Sequence, residues 1–178
     1  MIRIEPTLTD YHSAATSMDR NGFCLRFRTP VLVSTDTDLE DCFDGFQTVK
    51  TSLSIRRPSA GDSAQKPPQV EGLAPVISLQ SDQPGIDHQV TLGRLEENDL
   101  VFNHETVSGN QAIFRGTPGK ENFTLENLGT TNPTMVNEVE LQTENRVALR
   151  NKDLITIGEL VFVFYYPAGL YDVLDEVG

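Results

Sequence analysis

The stretch "NFTLENLGTTNPTMVNEVEL" (residues 122–141) places two short apolar runs on either side of a polar turn. The flanking runs, NFTLENLG and TMVNEVEL, have the length and the β-branched and aromatic content that favour β-strands. Between them, hydroxyl and amide side chains stand next to a glycine and Pro133, which is ordinary turn chemistry. The stretch therefore predicts two strands joined by a turn that is rich enough in hydrogen-bonding groups to bind a ligand.

The same pattern extends over residues 73–166. Short β-branched runs recur about every ten residues between Gly, Asn, Asp and Pro turns, and none of this region has the pattern of a long helix. Such spacing is typical of an antiparallel sandwich. We therefore predict an all-β fold, an antiparallel β-sandwich, over residues 73–166. Its strands are expected in PVISLQ, QVTLG, DLVFN, QAIFRG, NFTLENLG, TMVNEVEL, RVALRN and DLITIGELVFVFYY.

Residues 1–56 are predicted to be a smaller β-containing segment of unknown role. Residues 23–34 and 46–55 have strand composition and flank an acidic turn, which indicates a β-hairpin that packs on the sandwich or belongs to a separate module. Residues 57–72 are rich in Pro, Ser and small polar residues and are expected to form a linker or an extended strap. The tail at 167–178 has apolar residues at helical spacing, which allows a short helix or a frayed end.

Composition and charge exclude several classes of protein. The chain has 178 residues, 38% of them hydrophobic, and 14 basic against 26 acidic side chains give a net charge of −12. This charge argues against nucleic acid or anionic membrane as a general partner. No apolar run reaches the roughly 20 residues of a membrane span. The acidic opening MIRIEPTLTD has no signal-peptide pattern, so we expect a cytoplasmic protein in which Cys24 and Cys42 are reduced thiols.

Three turns of the predicted sandwich carry groups suited to an anion. Arg94 follows a glycine at a strand end, Ser108 lies in a Ser-Gly-Asn turn, and Thr130, Thr131 and Asn132 stand together before a proline. A guanidinium fork combined with short donors on rigid strands is what a tetrahedral dianion requires. The sequence therefore predicts an anion site formed by these turns.

In this order the blocks resemble the forkhead-associated (FHA) domain, a β-sandwich family that binds phosphothreonine peptides. The family has Gly-Arg, then Ser-Arg-x-His, then Ser-Thr-Asn-Gly-Thr-x-Val-Asn, then Leu-x-x-Gly-Asp-x-Ile-x-Ile-Gly and a final apolar strand. The matching segments here are GR at Gly93 and Arg94, SGNQA at 108–112, NLGTTNPTMVN at 127–137 and LRNKDLITIGELVFVF at 149–164. The resemblance covers about half of the chain and implies an FHA-type sandwich that follows the N-terminal β-containing extension.

The resemblance also implies roles for individual residues. Arg94 and Ser108 would contact the phosphate, Thr131 would contact the peptide or brace its loop, and Asn132 would hold the backbone of the bound segment. A phosphate with about −1.5 to −2 charges near pH 7 needs such donors to offset its desolvation.

The chain departs from the family pattern at several site positions. Gly109 replaces the Arg or Asn of the second block, which removes a contact, and Asn110 is the neighbour best able to compensate. Gln111 replaces the His, and because an amide both donates and accepts, we expect local adjustment. Pro133 stands where the family has Gly, so this turn lacks one N–H and cannot adopt a positive φ there.

The resemblance implies a signalling adaptor that binds phosphothreonine peptides. We expect it not to be an enzyme, because the sequence has no phosphate-binding loop, nucleophile elbow or paired catalytic carboxylates. We expect no cofactor and no metal, because its histidines share no ligand spacing. The alternative is a phosphate-independent structural or scaffolding subunit with a degenerate FHA fold. A short chain with one such domain is compatible with a bacterial source.

The expected partner is a phosphorylated protein or peptide, such as a Ser/Thr kinase substrate. The chain also offers its own N-terminal segment, because Thr35 and Thr37 each have an acidic residue three positions later. Docking of phosphorylated Thr35 or Thr37, in cis or on a neighbouring chain, would use the reach of the strap that precedes the sandwich.

Overall fold

The computed structural model describes residues 8–35, 52–55, 70–73, 76–81 and 88–177. The predictions for Thr37, Cys42, the acidic turn before residue 46 and most of the linker fall outside this part of the chain.

The described residues form three helices and thirteen strands. The helices are α1 (Leu8–Ser17), α2 (Arg20–Arg26) and α3 (Pro167–Val177). The strands are β1 (Val31–Ser34), β2 (Ser52–Ile55), β3 (Val70–Leu73), β4 (Val76–Ser78), β5 (His88–Gly93), β6 (Leu100–Val101), β7 (Ala112–Gly116), β8 (Thr124–Asn127), β9 (Thr134–Val136), β10 (Val139–Glu140), β11 (Arg146–Ala148), β12 (Leu154–Ile157) and β13 (Leu160–Tyr165). None of these helices is long and apolar enough to cross a bilayer.

Two sheets form the sandwich, which confirms the predicted all-β fold. One has six strands in the order β10-β9-β12-β13-β1-β4, and the other has five in the order β11-β8-β7-β5-β6. Neighbouring strands are antiparallel except for β5 and β6, which pair in parallel. A separate antiparallel pair joins β2 and β3.

Strand β1 lies inside the six-stranded sheet, although it is far from that sheet's other strands in sequence. Leu32 pairs with Phe164 of β13 on one side and with Ile77 of β4 on the other. The segment that the sequence assigned to an N-terminal extension thus supplies a central strand of the sandwich.

The strand prediction for residues 23–34 is wrong in its first part. Residues from Phe23 to Arg26 belong to α2, whose N-cap Asp19 accepts a hydrogen bond from Gly22 N. The alternation of Phe23, Leu25 and Phe27 imitates a strand, but an N-cap carboxylate stabilises the start of a helix. Tertiary packing on Phe23 completes the helix, since that ring is fully buried.

The main core fills the space between the two sheets. Large side chains from both inner faces have essentially no exposure there, among them Leu32, Leu92, Phe114, Phe162 and Phe164. Each fully buried side chain of this size contributes roughly 1.5–3 kcal/mol relative to its exposed state.

A second core covers the outer face of the six-stranded sheet. The odd-numbered residues of β1, Val31 and Val33, point to this face and pack against Tyr11 of α1, Phe23 of α2 and Leu170 of α3. Because side chains alternate along a strand, β1 buries both of its faces. The helices therefore form a third layer on one side of the sandwich.

Among the described residues, two ion-pair sites link neighbouring elements of the fold. Arg20 makes two bonds to Asp172, with Nε to Oδ1 at 2.8 Å and Nη2 to Oδ2 at 2.9 Å, and so ties α2 to α3. Glu126 accepts from Arg115 Nε at 3.1 Å and from Arg146 Nε at 2.8 Å across three strands. Burial acts to raise the pKa of the Glu126 carboxyl, but the hydrogen bonds from Arg115 and Arg146 outweigh it, so the pKa is lowered.

Leu32→Ala tests whether β1 is an integral strand. We expect the free energy of unfolding to fall by about 2–5 kcal/mol, because the change leaves a cavity between the sheets. Leu25→Ala is the matched control, since Leu25 is 78% exposed and Leu32 is 0% exposed. The control should stay within about 0.5 kcal/mol. Urea denaturation of both variants measures this, and equal effects would contradict the central position of β1.

Adjacent tyrosines at the end of β13 differ in their hydroxyl groups. Tyr166 Oη accepts from Phe123 N at 2.9 Å and donates to Leu149 O at 3.1 Å. Tyr165 is 1% exposed, and its hydroxyl has no hydrogen-bond partner among the described residues. Burial raises the pKa of Tyr165 to about 12, so the group stays neutral.

These environments predict opposite effects for the same substitution. Tyr166→Phe leaves the buried Phe123 N–H without an acceptor and should cost about 1–3 kcal/mol. Tyr165→Phe removes an unpaired buried hydroxyl and should raise stability by about 1 kcal/mol. Thermal and urea unfolding of the two variants give the comparison, and a loss on Tyr165→Phe would show that its hydroxyl has a partner.

Candidate functional site

Four loops meet at one end of the sandwich, at residues 94–99, 102–111, 128–133 and 158–159. We call them the site loops. Arg94 N donates to Ser108 O at 2.9 Å, which joins the first loop to the second. Gly158 N donates to Pro133 O at 3.2 Å, which joins the fourth to the third. The predicted site residues therefore lie on loops that contact one another directly.

The close approach of the first two loops explains the glycine before Arg94. A Cβ added at Gly93 would lie 2.1 Å from Gly109 O and 2.8 Å from Asn98 Nδ2. Any larger residue would push the two loops apart, because real Cβ contacts are not that short. The Gly93-Arg94 pair thus fixes the arginine beside the Ser108 turn.

Asn98 fixes the same two loops through its side chain. Its Nδ2 donates to Leu95 O at 2.9 Å and to Gly109 O at 2.8 Å, and the residue is buried. Asp99 continues the anchoring, since its carboxylate accepts from both the N–H and the hydroxyl of Thr91. No sequence pattern predicts this role of Asn98, because an Asn-Asp pair in a turn has no specific signal.

Gln111 links the second loop to the third and is fully buried. Its Oε1 accepts from Ser108 N at 2.9 Å. Its Nε2 lies 2.7 Å from Thr130 Oγ1, 2.9 Å from Thr134 Oγ1 and 3.0 Å from Asn132 O. One amide group therefore sets the distance between the Ser108 turn and the turn that contains Asn132.

The hydroxyl groups around Gln111 are bonded in turn to the scaffold. Thr130 Oγ1 donates to Asn132 O at 2.7 Å, and Thr134 Oγ1 donates to Asn127 Oδ1 at 3.2 Å. The Asn127 amide donates to Leu141 O at 2.8 Å. Each of these hydroxyl and amide groups is thus used inside the protein.

Asn132 donates one of its amide hydrogens to the second loop. Its Nδ2 donates to Thr106 O at 2.9 Å, and Thr106 Oγ1 accepts from Glu159 N at 3.0 Å. His104 Nδ1 lies 2.7 Å from the same hydroxyl, so this histidine also belongs to the loop framework. Gly158 has φ +60°, and a Cβ there would lie 2.5 Å from Thr106 O, so this turn requires glycine. The second amide hydrogen and the Oδ1 of Asn132 make no hydrogen bond within the described residues, so they are available to a ligand.

The remaining predicted site residues have unpaired polar side chains. Arg94 and Thr131 are exposed. Within the described part of the chain, the side chains of Arg94, Ser108, Asn110 and Thr131 make no hydrogen bond or ion pair. The scaffold residues are satisfied internally, whereas these four present donors at the protein surface.

Gly109 has no side chain that could contact a ligand, as expected for a glycine. A Cβ there would lie 3.0 Å from Leu95 Cδ1 and 3.1 Å from Leu95 Cγ, so the Leu95 side chain covers this position. Leu95 is 43% exposed. The structure thus places an apolar side chain beside Arg94 and the Ser108 turn.

Thr35 lies outside this group of residues. It follows β1, and its Oγ1 donates to Val161 O at 3.0 Å, as does its backbone N–H. The hydroxyl that would be phosphorylated is therefore engaged in the end of the sheet.

Comparison with protein families matches residues 90–158 to the FHA domain. This part of the chain is an FHA domain. The matched residues include Arg94, Ser108 and Asn132 and end at Gly158. The FHA resemblance is therefore confirmed for this part of the chain. No curated protein matches the chain.

Several solved FHA structures are similar to the chain. The N-terminal FHA domain of S. cerevisiae Rad53p in complex with a phosphothreonine peptide is 20% identical, covers 55% of this chain and 89% of its own, and has a TM-score of 0.45. The FHA domain of an Arabidopsis thaliana hypothetical protein is 20% identical, covers 79% and 86%, and has a TM-score of 0.45.

A third similar structure belongs to a much longer chain. Mycobacterium tuberculosis EmbR, in complex with a low-affinity phosphopeptide, is 26% identical, covers 44% of this chain and has a TM-score of 0.39. The similarity spans only 20% of the EmbR chain.

Gln111→Leu tests the link between the loops of the FHA domain. The apolar side chain leaves the half-buried Ser108 N–H and the other partners of Gln111 without their bonds, so the free energy of unfolding should fall by about 1–3 kcal/mol. Amide hydrogen exchange at Ser108 should accelerate as its acceptor is lost.

Gln142→Leu is the control, since Gln142 is exposed. It should stay within about 0.5 kcal/mol and leave exchange at Ser108 unchanged. Unchanged exchange at Ser108 in Gln111→Leu would show that the amide does not hold this turn.

Proposed function

We propose that the chain is a signalling adaptor whose FHA domain binds phosphothreonine peptides at the site loops and performs no catalysis. The strongest support is a difference between two sets of polar side chains: those that hold the loops are hydrogen-bonded within the protein, and most of those predicted to contact the ligand are not bonded to any described residue. Gln111, Asn127, Thr130 and Thr134 hold the loops, whereas the side-chain donors of Arg94 and its neighbours have no partner among the described residues. Preorganised donors favour ligand binding because little ordering is left for the binding step.

The chemistry of these donors suits a phosphate. Arg94 offers a planar fork that matches two phosphate oxygens, and Ser108 supplies a short hydroxyl donor on the neighbouring turn. The bond from Arg94 N to Ser108 O keeps both residues together. Arg94 is the only lysine or arginine of the site loops, which indicates modest affinity.

The neighbouring residues suit an extended peptide. The exposed Thr131 hydroxyl makes no bond within the part of the chain that the structure describes, and Asn132 has a second amide hydrogen and a carbonyl oxygen beyond its bond to Thr106. Such donors and acceptors can pair with the backbone N–H and C=O groups of a bound peptide. Asn110, exposed beside Ser108, is the remaining polar candidate where Gly109 has no side chain.

The partner we favour is a separate phosphorylated protein, such as a Ser/Thr kinase substrate. Phosphorylation of Thr35 would remove the hydroxyl hydrogen that Val161 O accepts, so docking of this residue would first disrupt the end of the sheet. We place the activity in the cytoplasm, a reducing compartment that suits the free thiol of Cys24.

A phosphate-independent scaffolding subunit is the second candidate. Gly109 lacks the side chain that the family pattern has at this position, and one Asn132 amide hydrogen is already used inside the protein. The helical layer formed by α1, α2 and α3 supplies a surface for such a role.

Arg94→Ala separates the two candidates. Affinity for a phosphothreonine peptide library should fall by at least about tenfold, since a hydrogen-bonded ion pair to the phosphate is lost. Arg150→Ala is the matched control, because Arg150 is an exposed arginine in the β11–β12 connection, away from the site loops.

Fluorescence anisotropy with phosphorylated and unphosphorylated libraries measures the affinities. The adaptor proposal predicts saturable binding that needs both the phosphate and Arg94 and that Arg150→Ala preserves. Equal binding of both libraries, or equal losses in the two variants, would favour the scaffolding role.

A further inference from the structure

The site loops have an unusual balance of charge. Arg94 is their only lysine or arginine, whereas their acidic residues are Glu96, Glu97, Asp99, Glu105 and Glu159. Asp99 is explained by the fold, since its carboxylate accepts from Thr91. The other four, all exposed, have no such explanation, and we call them the acidic rim.

The acidic rim lies on the loops that carry the phosphate donors. Glu96 and Glu97 follow Arg94 by two and three residues. Glu105 precedes Thr106, whose carbonyl holds Asn132. The backbone of Glu159 donates to the Thr106 hydroxyl. The rim residues therefore belong to three of the four site loops, two of which also carry Arg94 and Ser108.

The charges of the rim are not neutralised within the described residues. Glu96, Glu97, Glu105 and Glu159 form no ion pair there. Glu126, by contrast, is paired with both Arg115 and Arg146. The rim thus adds negative charge to the loops that carry Arg94 and Ser108.

A phosphate meets an unfavourable field at such a site. It has about −1.5 to −2 charges near pH 7, while the site loops hold a single arginine and the four carboxylates of the rim. Screening acts over about 8–10 Å at 0.1–0.15 M salt, so charges on contacting loops remain within range of a bound peptide. Positive groups on the ligand itself would offset this repulsion.

We propose that the ligand is a phosphothreonine segment flanked by lysine or arginine, and that the acidic rim selects these flanks and rejects acidic ones. The inference rests on the proposed phosphopeptide function. The ligand is indicated independently of the rim, by the FHA domain at 90–158 and by the side-chain donors of Arg94 and Ser108, which bond to no described residue. Such charge complementarity determines specificity, because a like-charged flank is actively disfavoured.

The experiment uses three phosphothreonine peptides with the same core and basic, neutral or acidic flanks, each with an unphosphorylated twin. Binding to the full chain is measured by anisotropy at about 50 mM and about 300 mM salt. The test variant is Glu96→Gln/Glu105→Gln, and Arg94→Ala reports the dependence on phosphate. The control is Glu121→Gln/Glu138→Gln, which makes the same charge change on exposed residues outside the site loops.

The proposal predicts that the basic peptide binds about tenfold or more tightly than the acidic one at low salt, with the neutral peptide between them. The ratio should shrink at higher salt and in Glu96→Gln/Glu105→Gln, and it should persist in Glu121→Gln/Glu138→Gln.

Other outcomes would overturn the proposal in distinguishable ways. Binding that requires phosphate and Arg94 but is indifferent to the flanks, or an order that both glutamine variants change equally, rejects the rim and leaves the phosphopeptide function in place. Equal binding of phosphorylated and unphosphorylated basic peptides, or no binding of any peptide, rejects the phosphopeptide function together with the rim.

Discussion

The buried amide of Gln111 is the contact on which the geometry of the site depends. Strand pairing brings the ends of β5, β7 and β8 together at one end of the sandwich, but the loops beyond those ends have no strand pairing to hold them. Gln111 supplies this link, because its oxygen accepts from Ser108 N and its nitrogen donates towards the Asn132 turn. A buried amide with unmet hydrogen bonds is costly, so the loops and the amide order each other.

The surrounding residues divide into a frame and a surface. Gly93 and Gly158 allow close approach of the loops, Asn98 anchors the first loop, and the resulting frame needs no ligand to be complete. Arg94 and Ser108 lie on that frame, and their side chains make no hydrogen bond with any described residue. Folding therefore orders the site before any ligand binds. Under this condition a few donors can bind an anion selectively.

Much of the sandwich was predictable because strand and turn signals are local. The runs around residues 122–141 have β-branched composition and fixed turn residues, and the ordered Gly-Arg, Ser-Gly-Asn and Thr-Asn-Pro blocks place Arg94, Ser108 and Asn132 on one edge. The position of β1 was not predictable, since its partner Phe164 is remote in sequence and a strand buried on both faces has no alternation. Helix α2 was mistaken for a strand because Phe23, Leu25 and Phe27 alternate. The role of Asn98 depends on a carbonyl eleven residues away, which no local pattern shows.

The central position of β1 constrains the order of events in folding. Its partners are Ile77 and Phe164, and the contact between Arg20 and Asp172 spans 152 residues. Contacts of this sequence separation give a high contact order and slow folding, because the chain loses the entropy of closing a long loop before the contact can stabilise it. During synthesis, Leu32 and Val33 leave the ribosome long before β13 exists. They must remain exposed or be protected until the last strand arrives, so the six-stranded sheet is completed late.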